Sequence, residues 1–130
     1  MSNARTELIA VVDDDKSLVE ATVNLMDSVG FTTQGFLSAE EFLTSPQLPL
    51  TACLILDVCM PRMGGLELQR LLVARNHRIP IVFISANGGE DVSAKALEAG
   101  AVEFLHKPFS QESLLRAVRS ALALSRNDSK

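Results

Sequence analysis

Short apolar segments alternate along the chain with longer segments in which apolar residues recur every three or four positions. The short segments have the length of buried β-strands, and the longer ones have the spacing of helices that bury one face. The five predicted strands span residues 8–12, 31–36, 52–56, 79–84 and 102–105. Strands that alternate with helices predict a parallel sheet with helices on both faces, joined by right-handed crossovers.

Capping residues mark where the five predicted helices begin and end. Ser, Asp and Thr are favoured at helix starts, and glycine is favoured just after helix ends. The expected caps are Asp15, Ser38 and Ser110 at helix starts and Gly30 and Gly100 at helix ends. The segment 38–41 also has the sequence of a capping box. A turn at 61–65 leads into the third helix, and the fourth is expected over 91–99.

Length and composition indicate one globular domain. The chain has 130 residues, of which 47% are hydrophobic and 22% charged, as in ordinary globular domains. We expect the domain to span residues 7–125, with 1–6 and 126–130 as tails or the start of a linker. No apolar run approaches the roughly 20 residues of a membrane span, and no signal-like leader opens the chain. The expectation is a cytoplasmic protein without membrane contact.

The charge distribution argues against a nucleic-acid partner and points to an acidic site. The net charge is -4, and the chain has neither Trp nor Tyr, so neither phosphate neutralisation nor base stacking is favoured. Residues 1–60 hold two basic and nine acidic side chains, and three of the acids are consecutive at 13–15.

Polar residues follow four of the five predicted strands, where open α/β sheets bind their ligands. Asp13 and Asp14 follow the first strand, Asp57 the third and Ser85 the fourth, while Lys107 follows the fifth. Taken singly, each has an ordinary structural explanation, such as a solvated helix cap or a surface lysine. Together, three carboxylates at one edge would repel one another without a cation.

A hard divalent ion fits these ligands. Oxygen ligands without His or Cys favour Mg²⁺, which also binds phosphate oxygens. Lys107 would then attract an anion, and Ser85 would donate a hydroxyl to it. The residues at the strand ends therefore predict a phosphoryl site.

These residues resemble the receiver domain of two-component response regulators, over nearly the whole chain. The matching segments are VVDDD at 11–15, DVCMP at 57–61, MGG at 63–65, SA at 85–86 and KPF at 107–109. The segments at 38–43 and 99–104 look most like receivers attached to LuxR-type DNA-binding domains. The resemblance implies a flavodoxin-like, doubly wound five-stranded parallel sheet in the order 2-1-3-4-5 with five helices.

The resemblance implies a role for each residue of the acidic site. Asp57 would be the phosphoacceptor. Asp14 would bind Mg²⁺ directly and Asp13 through water, with Asp57 and the backbone carbonyl of Cys59 as further ligands; Mn²⁺ is the expected substitute. Lys107 would pair with the phosphoryl oxygens.

Other positions acquire roles in the same way. Ser85 would hydrogen-bond the phosphoryl group, and Ala86 would keep the approach to Asp57 open. Movement of Ser85 would let Phe104 turn inward, in a position where the family often has Tyr. The peptide bond before Pro108 is expected to be cis.

The function implied is a signalling switch rather than a dedicated enzyme. A sensor histidine kinase or phosphotransfer protein would phosphorylate Asp57, and the domain would catalyse its own phosphorylation and dephosphorylation. The face formed by the fourth helix, fifth strand and fifth helix would then change and control an output domain or partner protein, most often in transcription. A homodimer that forms on phosphorylation is a further expected interaction. Cys59 and Asn87 flank the site and would influence how fast the phosphate is hydrolysed.

The sequence leaves two alternative functions open. A haloacid-dehalogenase-like phosphatase also uses an aspartyl phosphate and Mg²⁺, but it needs a second Asp two residues after the nucleophile, where this chain has Cys59. A flavodoxin-like binding module would need a phosphate-binding first loop, whereas this loop is rich in Asp and would repel phosphate.

Overall fold

The computed structural model describes residues 7–86 and 90–128, which form a five-stranded parallel sheet in the order β2-β1-β3-β4-β5. The strands are β1 (Leu8–Val12), β2 (Thr32–Phe36), β3 (Thr51–Asp57), β4 (Ile81–Ser85) and β5 (Glu103–His106). The helices are α1 (Lys16–Ser28), α2 (Ala39–Leu43), α3 (Gly65–Ala74), α4 (Glu90–Glu98) and α5 (Gln111–Asp128), and a 3₁₀ turn (Leu48–Leu50) precedes β3. The predicted order of elements and of strands is confirmed.

Helices cover both faces of the sheet. Buried side chains of α2, α3 and α4 pack with one face, and those of α1 and α5 pack with the other. Within β3, Leu54 and Leu56 belong to the first layer, whereas Cys53 and Ile55 belong to the second. Because successive side chains point to opposite faces, the central residues of β3 are buried on both sides of the sheet and are all apolar.

Several element boundaries differ from the sequence-based predictions. Strand β4 begins at Ile81 rather than at residue 79, since Pro80 has no N–H for the ladder and contributes only its carbonyl, which accepts from Leu54 N at 2.9 Å. Strand β5 is shifted by one residue, to Glu103–His106. Helix α5 continues to Asp128, into the segment expected to be a tail. No glycine or proline follows Pro108 to stop this helix.

The predicted N-caps are confirmed by their hydrogen bonds. A side-chain oxygen of Asp15 accepts from Leu18 N at 3.2 Å, and Ser110 Oγ accepts from Ser113 N at 3.0 Å. Ser38 Oγ accepts from Glu41 N at 3.1 Å. In the return bond of this box, Glu41 Oε1 accepts from the N–H of residue 37 at 2.9 Å, one residue before the cap.

The helices α1, α3 and α4 end in the same way, with a left-handed residue that lets two amides close the last turn. Gly30 and Gly100 have φ of 95° and 109°, and both were predicted as helix ends. Asn76, with φ of 63°, plays this part after α3 and was missed. Asparagine tolerates this conformation better than other non-glycine residues.

None of the helices in the described ranges combines the length and apolar character that a bilayer span requires.

Candidate functional site

The carboxyl ends of the central strands bring the acidic residues together. Val12 of β1 pairs with Leu56 of β3, so that Asp13, which follows β1, lies level with Asp57, the last residue of β3. Asp14 follows at the start of the loop into α1. One carboxylate oxygen from each of Asp13, Asp14 and Asp57 lies within 4.8 Å of the others. The predicted acidic cluster is therefore present.

These three carboxylates could hold a metal ion. Asp13 is fully buried and Asp57 nearly so, whereas Asp14 is exposed. Oxygen ligands of which one is exposed to solvent suit a hard cation that keeps some of its waters. Repulsion among the carboxylates would fall when a divalent cation binds between them. The donor set thus fits the expected cofactor class.

Lys107 follows the carboxyl end of β5 and contacts two of these carboxylates. Its Nζ donates to Asp13 Oδ2 at 3.0 Å and lies 3.8 Å from Asp57 Oδ2. Burial by itself lowers the pKa of Lys107, but the hydrogen bond to Asp13 and the surrounding carboxylates outweigh burial, so the pKa is raised overall. The ammonium group is therefore charged at neutral pH and lies where an anion at Asp57 would meet it.

The carboxyl group of Asp57 has a raised pKa. Burial, followed by the nearby charge of Asp13, raises its pKa from 3.8 to about 6, although Lys107 and a hydrogen bond from Cys59 N oppose the shift. That amide donates to Asp57 Oδ1 at 3.3 Å. Oδ2, on the other side, faces Lys107. With a pKa near 6 the carboxylate is largely ionised at pH 7 and can act as a nucleophile.

Backbone groups orient Asp13. Its Oδ1 accepts from Asp15 N at 2.9 Å while its Oδ2 accepts from Lys107. Its own N–H donates to Phe36 O of β2 at 3.2 Å. A fully buried carboxylate needs such partners, and they hold it at the edge of the pocket.

A close contact between β3 and α3 fixes the segment that follows Asp57. Gly65 N donates to Val58 O at 2.9 Å. A Cβ on Gly65 would lie 2.4 Å from Asp57 O and 3.0 Å from both Phe83 Cε1 and Val58 Cα. Only glycine fits there. The sequence contained this glycine within the resembling motif, but its spatial requirement was not predicted.

A second connection missed at the sequence level lies at the rim. Glu40, in the first turn of α2, lies 3.8 Å from Arg62 Nε in the β3–α3 loop. Arg62 has a positive φ of 68°. Glu40 and Arg62 are 22 positions apart, and no local pattern would have paired them.

The remaining predicted residues lie around this pocket in different environments. Ser85, fully buried, ends β4, and its carbonyl accepts from Lys107 N at 2.8 Å. Ala86 is exposed. Asn87 falls outside the described residues. The peptide bond between Lys107 and Pro108 is cis, as expected.

Phe104 lies inward from β5. Its side chain is only 9% exposed, and its ring lies 6.2 Å from that of Phe83 and 5.1 Å from that of His106. The ring is therefore buried against β4. The coupling of this position to Ser85 stays a prediction, as do the metal-binding carbonyl of Cys59 and its influence on hydrolysis.

Comparison with known proteins gives one consistent result. A family model described as "Response regulator receiver domain" matches residues 9–119. The response regulator protein TodT of Pseudomonas putida is 45% identical over 121 residues, which are 93% of this chain and 53% of TodT. The transcriptional regulatory protein TdiR of Thauera aromatica is 40% identical over 95% of this chain and 54% of its own.

Solved structures agree. The response regulator StyR superposes with a TM-score of 0.88 at 42% identity, covering 95% of this chain and 63% of that one. The structure titled FIXJ-N has a TM-score of 0.82 at 30% identity and covers 95% and 96% of the two chains. The chain spans about half the length of the curated relatives it matches. With the aspartates and the lysine assembled as described, the chain belongs to the response regulator receiver domain family of two-component systems.

Proposed function

We propose that this domain is a phosphorylation-dependent switch in which Asp57 accepts a phosphoryl group from a partner histidine kinase or phosphotransfer protein. The observation that carries the proposal is the bridge made by Lys107 Nζ between the carboxylates of Asp13 and Asp57, beside the exposed Asp14. An ammonium group, a buried nucleophile and two further carboxylates are what metal-assisted phosphoryl transfer to an aspartate requires.

In the proposed reaction, Asp57 Oδ2 forms a bond to the phosphorus atom while the P–N bond of the partner's phosphohistidine breaks. The imidazole takes the electron pair of that bond and remains on the partner. Oδ1 is held by Cys59 N, so the carboxylate cannot rotate freely. Lys107 then exchanges its contact with Asp57 for one with a phosphoryl oxygen, and the Ser85 hydroxyl donates to another. Mg²⁺, with Mn²⁺ as a substitute, would be held by Asp13, Asp14, Asp57 and the Cys59 carbonyl and would neutralise charge on the phosphoryl oxygens.

The output of the switch is proposed to be the face formed by α4, β5 and α5. A phosphoryl group adds about -1.5 to -2 charge beside Ser85 and Lys107. Phe104 belongs to β5 of that face, and its ring lies 6.2 Å from that of Phe83 in β4, the strand that ends at Ser85. To shift the two conformations of this face from a ratio of 1:99 to 99:1, the phosphoryl group would have to favour one conformation by about 5.5 kcal/mol. The proposed targets are an output domain or partner protein in the cytoplasm, most often transcriptional as in the named relatives, or a second copy of the domain.

The test is covalent labelling with acetyl phosphate and Mg²⁺. We expect one label per chain, none with Asp57→Asn, and full labelling of a matched variant at an exposed position, Asp27→Asn. Intact mass or a phosphate-retarding gel is the readout, because the chain has no Trp or Tyr to report by fluorescence. Undiminished labelling of Asp57→Asn would overturn the assignment.

A turnover assay with an unrelated phosphomonoester separates the switch from a phosphatase. A haloacid-dehalogenase-like enzyme would hydrolyse an unrelated phosphomonoester many times per chain. We expect no such turnover, since Cys59 occupies the position where that chemistry needs an acid. Sustained turnover that is lost in Asp57→Asn would favour the phosphatase.

A further inference from the structure

A buried glutamine joins α3 to the last turn of α4. The side chain of Gln69 is only 3% exposed, although its amide is polar. Its Nε2 donates to the carbonyl of Ala96, which is itself fully buried, at 3.3 Å. A buried amide without partners is costly, so this hydrogen bond fixes the distance between the two helices at this point.

The carbonyl that Gln69 binds also closes the end of α4. Ala101 N donates to Ala96 O at 3.0 Å, and Gly100 N donates to Leu97 O at 3.0 Å. Together with the φ of 109° at Gly100, these two hydrogen bonds form a Schellman motif, in which a residue in the left-handed conformation ends a right-handed helix. Gln69 therefore holds the structure that terminates α4.

The other end of α3 begins against the phosphoacceptor strand. Gly65 opens the helix in contact with the Asp57 carbonyl and hydrogen-bonded to Val58 O. Gln69 lies four residues later, about one helical turn along the same side. A short, rigid connection thus runs from Asp57 through α3 to Ala96.

Space for movement lies beside this connection. A cavity of about 300 Å³ is bounded by the ends of α3 and α4 and by the starts of β4 and β5. Gln69, Asn76, Gly100 and Val102 are among its lining residues. The turn that follows α4, at Ala99 and Gly100, therefore borders this space next to Gln69.

We propose that Gln69 is a positioning residue that transmits movement of the β3–α3 segment on phosphorylation to the last turn of α4. This route is separate from the one through Ser85 and Phe104, which reaches the output face from the ends of β4 and β5. It rests on the proposed function, because it requires a phosphoryl group on Asp57.

Amide hydrogen exchange with and without acetyl phosphate and Mg²⁺ tests the proposal. In the natural sequence, we expect exchange at Gly100 and Ala101 to differ by at least about threefold between the two states. Gln69→Met removes the donor at similar volume and should raise exchange of the unphosphorylated protein about fivefold, as the loss of one hydrogen bond predicts. The same variant should bring the ratio between the two states close to one.

Two controls separate coupling from stability. Gln111→Met makes the same chemical change at an exposed position and should leave the ratio unaltered. Gln69→Asn, which shortens the side chain out of reach, serves if Gln69→Met does not fold. If the hydrogen bond is only structural, its loss in Gln69→Met would speed exchange in both states equally. The ratio of exchange rates between the two states would then stay as in the natural sequence, and the proposal would be overturned. The proposal would also be overturned if exchange at Gly100 and Ala101 of the natural sequence were the same with and without phosphorylation.

Labelling of Asp57, measured in the same samples, distinguishes the two levels of the proposal. A labelled protein whose helix end does not respond contradicts only the role of Gln69. A protein that takes no label contradicts the proposed function, and the role of Gln69 falls with it.

Discussion

Replacing Asp57 with Asn is expected to stabilise the protein in metal-free buffer at pH 7 while removing its phosphoacceptor. Burial and the charge of Asp13 raise the pKa of Asp57 from 3.8 to about 6, in spite of Lys107. The ionised carboxylate is therefore less favourable in the folded protein than in the unfolded chain. Asn keeps the acceptor for Cys59 N and removes the charge.

The magnitude follows from the shift in pKa. A change from 3.8 to about 6 corresponds to about 3 kcal/mol, at 1.36 kcal/mol per unit. Relaxation and water penetration reduce such penalties, so we expect a gain of about 1 to 3 kcal/mol in the free energy of unfolding. For a domain of this size the gain is about 4 to 10 °C in Tm.

The sign of the pH dependence is set by the raised pKa. Between about pH 4 and pH 6 the folded protein binds more protons at Asp57 than the unfolded chain does, so stability falls as pH rises through this window. Only below about pH 3 is Asp57 protonated in both states, and there the advantage of Asp57→Asn should disappear. Above pH 6 the advantage should have its full size.

Urea unfolding followed by circular dichroism at pH 7, 5 and 4 in EDTA measures this difference. Asp27→Asn, at an exposed position of α1, is the matched control and should stay within about 0.5 kcal/mol of the natural sequence. Added Mg²⁺ should stabilise the natural sequence more than Asp57→Asn, by mass action. The reasoning is refuted if Asp57→Asn is no more stable at pH 7, or if its advantage at pH 4 is as large as at pH 7.

Three further predictions concern the surroundings of the site. Gly65→Ala would place a Cβ 2.4 Å from the Asp57 carbonyl oxygen. It should lower the free energy of unfolding in urea by about 1 to 3 kcal/mol and slow the labelling of Asp57. Gly64→Ala, whose Cβ would lie 3.1 Å from the nearest atom, should lower it less. An equal cost for both would contradict the close-contact argument. Ser38→Ala should cost about 1 kcal/mol through the lost cap of α2 while Asp57 labels normally; an unchanged unfolding midpoint would contradict this. Asp14→Asn should reduce the rise in Tm that Mg²⁺ produces, and an undiminished rise would remove Asp14 from the metal ligands.

Most of the fold was predictable because its causes are local. Periodicity of 3.6 or an unbroken apolar run is a property of neighbouring residues, and the caps Asp15, Ser38 and Ser110 act within three positions. The boundary errors had local causes too, as with Pro80 at the start of β4. Asn76 was missed at the end of α3 because asparagine marks a left-handed helix end less clearly than glycine does.

The composition of the site was predictable for a related reason. Parallel strands end at one edge of the sheet, so Asp13, Asp57 and Lys107 were expected to meet once each was assigned to a strand end. The order of the strands, however, came from the resemblance to receiver domains, and the order is what makes β1 and β3 neighbours.

The sequence by itself determined the alternating elements, their caps and the chemical types at the strand ends, because these depend on residues close together in the chain. Only the tertiary structure decided the pKa of Asp57, the glycine-only contact of Gly65 and the bond from Gln69 to Ala96. Each of these depends on distances of a few ångströms between distant positions. Such distances result from the packing of the whole sheet and its helices, which no single segment specifies.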